Sequence, residues 1–576
     1  MTEKIQRIIR DSKAARWTAL IFVSLTMFAG YYLADAMAPL QGMLEKELGW
    51  HANDYGFFTS AYGWFNVFLF FLIIGGIILD KMGVRFTGLM SAIIMVVGTA
   101  IKYWAISTHS LDGMFIMGWH AQVMIAAIGY AIFGVGVEVA GITVSKVIVK
   151  WFKGHEMALA MGLQLAVARL GTALALSTSL PIAMASGHVS TPILLCLIML
   201  CIGLLSYFVY TFRDKKLDAS IKAYNIDQDV AAEEEFKIRD ILTILKNKGW
   251  WYIALLCVLF YSAVFPFLKY ATSLMVDKFG VDPYWAGLLP GLLPFGNIFF
   301  TPVFGSIYDR KGKGATIMII GAVILILVHA LFAIPFLNHW FAAFLLIFAL
   351  GVGFSLVPSA MWPSVPKIIP EHQLGTAYSL IFWVQNWGLM GVPLLIGWVL
   401  NKYCFIGYFT VLGFTNTADK VQAVSVVSLD QKVYNISEAG NINRKDSTFQ
   451  ISEIQKDASG KITTFITKSG DTINSNFISE EDIKTAVSDK QVKIPIYSYQ
   501  LIDKTNDKTK SISVDHFLDN KGNRIERYGD MTSKYNYTLP MLIFMSFGIL
   551  ALLFAFLLKV EDRKKGYGLE KPNIVK

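Results

Sequence analysis

Runs of about 20 apolar residues recur along this chain, separated by short polar stretches, until the pattern changes near residue 402. A run of that length is what a helix needs to cross the ~30 Å hydrocarbon core of a bilayer. The runs predict twelve spans, at 17–38, 55–79, 86–106, 120–148, 157–184, 191–212, 250–275, 285–307, 315–336, 340–363, 375–400 and 538–559. They fall into an N-terminal group of six, 17–212, and a second group made of 250–400 and 538–559. Between the groups lies a polar stretch, 213–249, with the acidic run Glu233-Glu234-Glu235 followed by an amphipathic segment from Phe236 to Leu245. That composition predicts a solvated linker carrying one surface helix. Residues 1–16 and 560–576 are short polar tails.

Residues 402–537 follow another rule. Their charges nearly cancel, with 18 basic and 17 acidic residues. Apolar and polar positions alternate in segments such as Lys461-Ile-Thr-Thr-Phe-Ile-Thr-Lys468, and Ser469-Gly470-Asp471 follows as a turn. Alternation bounded by such a turn predicts a β-hairpin. The expected fold is therefore an all-α membrane protein of two six-helix bundles, with a small, mostly β insert between spans 11 and 12.

Composition agrees with a polytopic membrane protein: 576 residues, 55% hydrophobic, mean hydropathy +0.50. The net charge of +9 does not call for nucleic acid, because its sources sit in loops of one parity. Lys4, Arg7, Arg10, Lys13 and Arg16 precede span 1, and Lys81 and Arg85 follow span 2. Lys146, Lys150 and Lys153 lie at the next such hairpin, and Arg310, Lys311 and Lys313 at a later one. The positive-inside bias then predicts that both termini are cytoplasmic and that the insert is extracytoplasmic. Long loops translocate largely regardless of charge, so the insert's lysines do not oppose this. The first span is too long for a signal-peptide core and no small-residue cleavage site follows it. The four cysteines imply no disulfide framework. No His or Cys cluster has metal-ligand spacing, no phosphate-binding glycine loop occurs, and neither a cofactor nor an enzymatic activity is expected.

Two charges interrupt the apolar pattern deep inside consecutive spans. Glu138 lies 13 residues before Trp151 and Arg169 lies 13 residues after Glu156, the two edges of the polar hairpin Trp151-Phe-Lys-Gly-His-Glu156. At ~1.5 Å per helical residue both sit roughly 20 Å from the hairpin, at the same depth near the midplane. A charge there costs at least ~2.5–3.5 kcal/mol. Residues kept at that cost face a partner or a water-filled cavity, so this pair is the first candidate for a substrate site. The competing reading is a structural salt bridge between spans 4 and 5, with Leu170-Gly171 allowing close packing.

The chain also repeats itself. Gly76-Ile-Ile-Leu-Asp80-Lys-Met-Gly83 follows span 2, and Gly305-Ser-Ile-Tyr-Asp309-Arg-Lys-Gly312 follows span 8, at an offset of 229 residues. The same spacing at the same place in each group marks duplicated halves. Locally, Asp80 can pair with Arg85 and cap a helix start, while the glycines permit a tight turn.

Twelve spans in two sixes, a central linker and this duplicated motif resemble the major facilitator superfamily. There, residues in the positions of Gly76, Asp80, Gly83 and Arg85 form a network that latches the two halves together in one state. A narrower resemblance follows from Trp151-Phe-Lys-Gly, Gly162-Leu-Gln-Leu and Ala168-Arg169-Leu-Gly, with Phe133-Gly-Val-Gly-Val-Glu138 before them. Phe265-Pro-Phe267, Met361-Trp-Pro-Ser364 and Ile369-Pro-Glu-His-Gln-Leu-Gly-Thr-Ala-Tyr378, with Gln385-Asn386 following, add to it. Together they resemble the family of major facilitator superfamily domain-containing protein 1, which includes a lysosomal dipeptide transporter of animals. The resemblance covers about 20–400 and, loosely, 538–560, but not the insert.

What the resemblance implies is a secondary transporter working by alternating access, with a dipeptide in a central cavity. Glu138 would face its α-amino group, Arg169 its α-carboxylate, and Trp362 would line the cavity from the second half. The chemistry of the residues agrees, since Arg offers a carboxylate a bidentate fork. Tyr261 and Phe265 are further lining candidates. The family points to uncoupled movement, while Glu138 as a proton carrier stays open. No acidic dileucine signal stands near the N-terminus, so a cell (inner) membrane is expected rather than a lysosomal one.

Two other functions stay open. One is a transporter of small organic anions, with Arg169 as the clamp. The other is a receptor or scaffold whose insert binds an extracellular ligand, although the short tails and linker leave no room for an effector domain. Expected partners are the small-molecule substrate, the lipid bilayer and an extracytoplasmic partner for the insert; nucleic acid is excluded and a monomer is expected. Tyr31, Tyr32 and Asp35 fit either a cavity mouth or interfacial anchoring. Lys102 and Lys269 are expected to snorkel, Pro266 to break span 7, and Gln385 and Asn386 to bond between helices.

Overall fold

A computed structural model describes residues 9–572 apart from 109, 112–113, 153–155, 224–237, 371–372 and, within the insert, 410–413, 416–419, 422, 429–432, 436–440, 457–461, 469–471, 475–479, 504–507 and 520–531. Two compact units emerge: Met1–Phe405 with Tyr535–Lys576, and Ile406–Lys534. Among the described residues of the first unit, eleven helices are long and apolar enough to cross a membrane. The twelfth span is hidden by continuity. Helix Phe71–Ser107 holds both the end of span 2 and all of span 3, turning at Gly83, whose φ of 75° and ψ of 174° are not helical. A turn with no intervening loop replaces the predicted polar connection, because glycine alone accepts that backbone cheaply.

Span 2 is itself assembled from pieces: Ala52–Ser60, Ala61–Gly63, Trp64–Phe68 and the start of Phe71–Ser107. The break falls at Phe70, in a left-handed conformation with φ 56°. A helix end inside a membrane leaves carbonyls without partners. Trp383 of span 11 (Leu374–Val399) answers this by donating its indole N–H to the carbonyl of Val67 at 3.1 Å, while its ring stacks on Phe70. By contrast, span 7 (Lys248–Asp277) runs unbroken through Pro266, so the expected break is absent. Its start is fixed by Asn247, whose side chain accepts from the amides of Gly249 and Trp250.

Each half packs around its own helices: spans 1 (Lys13–Ala36), 3, 4 (Ala121–Phe152), 5 (Met157–Ser186) and 6 (Ser190–Ala223) on one side, and spans 7 to 10 and 12 (Thr538–Lys565) on the other. The halves meet where span 2 packs on span 11 and span 5 on span 8 (Leu288–Lys311). These contacts gather in the middle and at the end far from the linker. Gly56 faces Gly397 so closely there that an added Cβ would lie 2.8 Å from the Gly397 Cα and from the Pro393 carbonyl.

Helix Ser190–Ala223 continues past the predicted end of span 6 and carries Asp214 and Asp218 into the polar zone at the linker end. The surface helix of the linker is present at Ile238–Leu245 and buries Ile244. The acidic run 233–235 and Phe236 lie outside the described residues.

The second unit contains a seven-stranded antiparallel sheet. Across the sheet the strands run Thr472–Asn474, Ile462–Thr467, Asn441–Lys456, Gln491–Asp503, Lys508–Asp519, Ala423–Ser428 and Val433–Asn435. The predicted hairpin is the pairing of Ile462–Thr467 with Thr472–Asn474, in register Ile466 to Thr472; its turn, 469–471, lies outside the described residues. Helix Glu480–Asp489 brings Ala486 against Ile451, Phe465 and Val492 to form a small core.

Candidate functional site

Span 4 approaches span 2 through Gly134, which lies so near the Tyr62 carbonyl that no side chain would fit. That contact sets Tyr62 beside Glu138, and the Tyr62 hydroxyl donates to Glu138 Oε1 at 2.7 Å. Arg169 projects from span 5 into a ring of aromatic faces. Its guanidinium carbon lies 5.9 Å from the ring centre of Tyr31, 5.5 Å from that of Phe265 and 5.7 Å from that of Phe354. Those faces hold a cation without using its N–H donors, which have no hydrogen-bond partner among the described residues. No ion pair joins Glu138 to Arg169 among the described residues, so the predicted salt-bridge alternative is not what this conformation adopts.

Both charges line one central cavity of about 560 Å³, walled by both halves. From the second half, Tyr261, Phe265 and Trp362 line it, together with Phe354, Phe382 and Gln385. The Trp362 indole N–H donates to the Tyr261 hydroxyl at 3.2 Å and its ring stacks on Phe382. Trp362 therefore faces the cavity rather than a lipid interface. Gln385 accepts from Cys257 Sγ at 3.5 Å and also reaches the cavity; Asn386 is buried and donates to the Phe382 carbonyl. Thr172, one turn beyond Arg169, lines the cavity with a buried hydroxyl that has no hydrogen-bond partner among the described residues.

The far end of the cavity is closed by a second charge pair. Lys269 of span 7 donates to Asp35 Oδ1 of span 1 at 2.7 Å and to the Ala34 carbonyl at 2.6 Å. The Tyr130 hydroxyl donates to the same Ala34 carbonyl, and the Tyr55 hydroxyl to the Lys269 carbonyl. The expectation that Lys269 snorkels is thus wrong: a carboxylate on the opposite half holds it inward. Lys102 does not snorkel either. It is fully buried among spans of the first half, its Nζ 5.0 Å from the Tyr130 ring centre and without a hydrogen-bond partner among the described residues. Tyr31 and Asp35 line the cavity, while Tyr32 is buried against Thr178.

At the linker end the repeated motif is wired differently from the local expectation. Asp80 pairs with Lys146 of span 4 at 2.9 Å, not with Arg85. Arg85 reaches Asp218 at 2.7 Å and Asp214 at 3.5 Å. Lys150 completes the cluster on Asp214 and Asp218, and Trp151 and Tyr210 both donate to Asp214. All these partners belong to the first half. In the second copy, Gly312 takes φ 69° and the backbone after it is held by the C-terminal segment: Lys313 and Gly314 amides donate to the carbonyls of Glu570 and Leu569. Gly76 and Gly305 have open space around them.

Sequence reasoning missed Tyr62, Phe354 and the Asp35–Lys269 pairing. Tyr62 and Phe354 carried no signal beyond being aromatic in apolar runs. Asp35 and Lys269 were visible as charges but not as partners.

Comparison with known proteins agrees with this architecture. The chain is 28% identical over 408 residues to "Lysosomal dipeptide transporter MFSD1" of Danio rerio, covering 69% of this chain and 83% of that protein. The protein of the same name from Homo sapiens is 26% identical over 444 residues, covering 75% and 88%. Among solved structures, a D-xylose-proton symporter aligns with a TM-score of 0.51 at 14% identity, over 67% of this chain and 91% of that one. A bacterial homolog of the human lysosomal transporter Spinster, inward-facing and unoccupied, also aligns with a TM-score of 0.51, at 12% identity, over 67% and 83%. At such identities the structures speak for the fold alone. The sequence profile described as Major Facilitator Superfamily matches residues 12–393, and with it the chain belongs to that superfamily of multi-pass membrane transporters.

Proposed function

We propose that this transporter moves dipeptides, bound by their two charged ends between Glu138 and Arg169. The observation that carries this reading is that two opposite charges line one cavity without pairing with each other. A zwitterionic dipeptide is complementary to that arrangement: its ammonium pairs with a carboxylate already held by Tyr62, and its carboxylate with a guanidinium whose donors have no partner among the described residues. Reading the backbone ends admits many dipeptides, and leaves their side chains to set rank among them rather than entry. The relatives named dipeptide transporters support the same substrate class.

Two six-helix halves rocking around a midplane site give alternating access. The far end is sealed by Asp35–Lys269 and the Gly56–Gly397 contact, so substrate leaves and enters this conformation from the linker end. The proposed setting is a cell membrane with both termini cytoplasmic, the protein a monomer, and residues 402–537 an extracytoplasmic module. Purified protein in liposomes should take up labelled dipeptide. Arg169→Ala should abolish uptake while its thermal melting stays near the parent's; normal uptake by that variant removes Arg169 from the site.

A second reading rests on the same arginine. Arg169 lies against three aromatic rings and has no carboxylate partner among the described residues, which also suits a clamp for a small organic anion, with Glu138 carrying a proton. Uptake of organic anions without uptake of dipeptides selects it.

A further inference from the structure

The two poles of the cavity have unlike surroundings. Arg169 lies against Phe265 and Phe354, whose rings are 5.4 Å apart. From there the aromatic surface is continuous. Tyr261 stacks on Phe265 at 5.2 Å, Trp362 bonds to Tyr261, and Phe382 stacks on Trp362 at 5.0 Å. All five side chains belong to spans 7, 10 and 11 of the second half, and all line the cavity. Around Glu138 the rings are those of tyrosines from the first half, Tyr31, Tyr62 and Tyr130, so hydroxyls and charges share the surface with them. Tyr62 donates to it, and Tyr31 and Asp35 line the same cavity. Asp35 in turn leads to Lys269.

A dipeptide held by its ends cannot present its two side chains to equivalent walls. The C-terminal Cα is bonded to the carboxylate carbon, so its side chain lies within a few bonds of the guanidinium and within reach of the rings that the guanidinium touches. The N-terminal side chain departs beside the ammonium, among polar groups. We infer that the aromatic wall of Tyr261, Phe265, Phe354, Trp362 and Phe382 is a subsite for the side chain of the substrate's C-terminal residue, and that it selects dipeptides with an aromatic or large apolar residue there. This rests on the dipeptide reading and deepens it. The physical basis is burial of apolar surface against rings, in offset or edge-on contacts that aromatic pairs favour. The Glu138 pole, where each ring carries a hydroxyl and Asp35 and Lys269 stand close by, gives the same side chain placed first a smaller return.

The test uses a sequence-reversed pair. Uptake of labelled Ala-Ala by the full-length protein in liposomes is competed with unlabelled Ala-Phe and Phe-Ala. Ala-Phe should compete at a concentration about tenfold lower than Phe-Ala, the scale on which one apolar group in a pocket discriminates. Phe354→Ala should bring the ratio toward one, and Phe354→Tyr should preserve it. Should Phe354→Ala lose uptake altogether, the same ratio is read from ligand-dependent thermal shifts of the purified variant, with Phe382→Ala as the second variant. Equal competition by the two orders, a preference for Phe-Ala, or a ratio that both alanine variants leave unchanged overturns the subsite while leaving dipeptide transport standing. Failure of every dipeptide to enter or compete overturns the dipeptide reading itself.

Discussion

Lys269 of span 7 places its Nζ 2.7 Å from Asp35 Oδ1 of span 1, an ion pair that joins the two halves of the molecule. Both side chains are mostly buried, at 16% and 12% exposure. The other pairs described above stay within one half. A desolvated pair is a poor source of net stability, but removing one partner strands a buried charge at a cost of ~3–5 kcal/mol. Here that cost falls on one conformation, because the two residues separate when the far end opens. Asp35→Asn should therefore shift the population toward an open far end. A cysteine placed at Thr59, which lines the cavity, should react faster with an impermeant maleimide applied from the far side. The exchange Asp35→Lys with Lys269→Asp should slow the labelling again. Labelling unchanged in Asp35→Asn would mean that the pair does not hold the gate.

The bond between Tyr62 and Glu138 makes a separate prediction about the ammonium pole. Tyr62→Phe leaves Glu138 in place but removes its donor, a loss of about 1–3 kcal/mol for a buried polar group. Glu138→Gln keeps an acceptor for Tyr62 and removes the charge. If Glu138 receives the peptide ammonium, Glu138→Gln should lose most affinity for free dipeptides and little for N-acetylated ones, which lack that charge. Tyr62→Phe should weaken free dipeptides less than Glu138→Gln does. Thermal shifts with each ligand measure both, and an equal loss for free and acetylated dipeptides would place the ammonium elsewhere.

How far the sequence reached can be seen at these same residues. Spans were legible because a bilayer demands apolar runs, and Glu138 and Arg169 because a charge inside such a run needs a reason. Trp362 came from resemblance rather than from pattern, and Tyr261 and Phe265 were candidates only, since nothing in the spacing distinguishes a cavity aromatic from a lipid-facing one. Asp35 and Lys269 lie near span ends, where snorkelling is the ordinary outcome, and their pairing across 234 residues is a property of how the halves dock. Arg85 was assigned to Asp80 because proximity in sequence was the visible cue. Its actual partners sit on a helix that outlasts its apolar run, which hydropathy does not reveal.

Asp214 should be the most sensitive residue of the linker-end cluster. Its side chain is fully buried, accepts from Trp151 Nε1 at 3.1 Å and the Tyr210 hydroxyl at 2.9 Å, and pairs with Lys150 at 2.8 Å. Asp214→Ala removes the acceptor shared by all three; Lys150 keeps Asp218 and Trp151 keeps the Tyr210 hydroxyl, but the buried Tyr210 hydroxyl loses its acceptor, a cost of ~1–3 kcal/mol. Asp80, nearly half exposed and paired with Lys146, belongs to the class of surface pairs worth ~1 kcal/mol or less. Thermal melting of purified variants should therefore fall clearly for Asp214→Ala and little for Asp80→Ala. Asp80→Ala should still alter transport if its role lies in the opposite conformation, where the halves meet at the linker end. Comparable melting losses in the two variants would contradict the difference in burial.

The glycines of span 2 separate packing from motif. At Gly56 an added methyl would lie 2.8 Å from both the Gly397 Cα and the Pro393 carbonyl, backbone atoms that cannot swing aside. Gly56→Ala must then push span 2 from span 11 at the far end, destabilising the closed far end by an overpacking cost of about 1–3 kcal/mol. At Gly76, in the repeated motif, an added methyl meets nothing within 4 Å, and a helical alanine is favoured over glycine by about 1 kcal/mol. Gly56→Ala should raise maleimide labelling of the Thr59 cysteine from the far side, as Asp35→Asn does, whereas Gly76→Ala should leave that labelling unchanged. If Gly76→Ala nevertheless impairs uptake, the motif glycine is needed where the linker end closes, because the far-end-closed structure has room for the methyl group. If Gly56→Ala labels like the parent, the span 2–span 11 contact does not limit opening and the closure rests on Asp35 and Lys269.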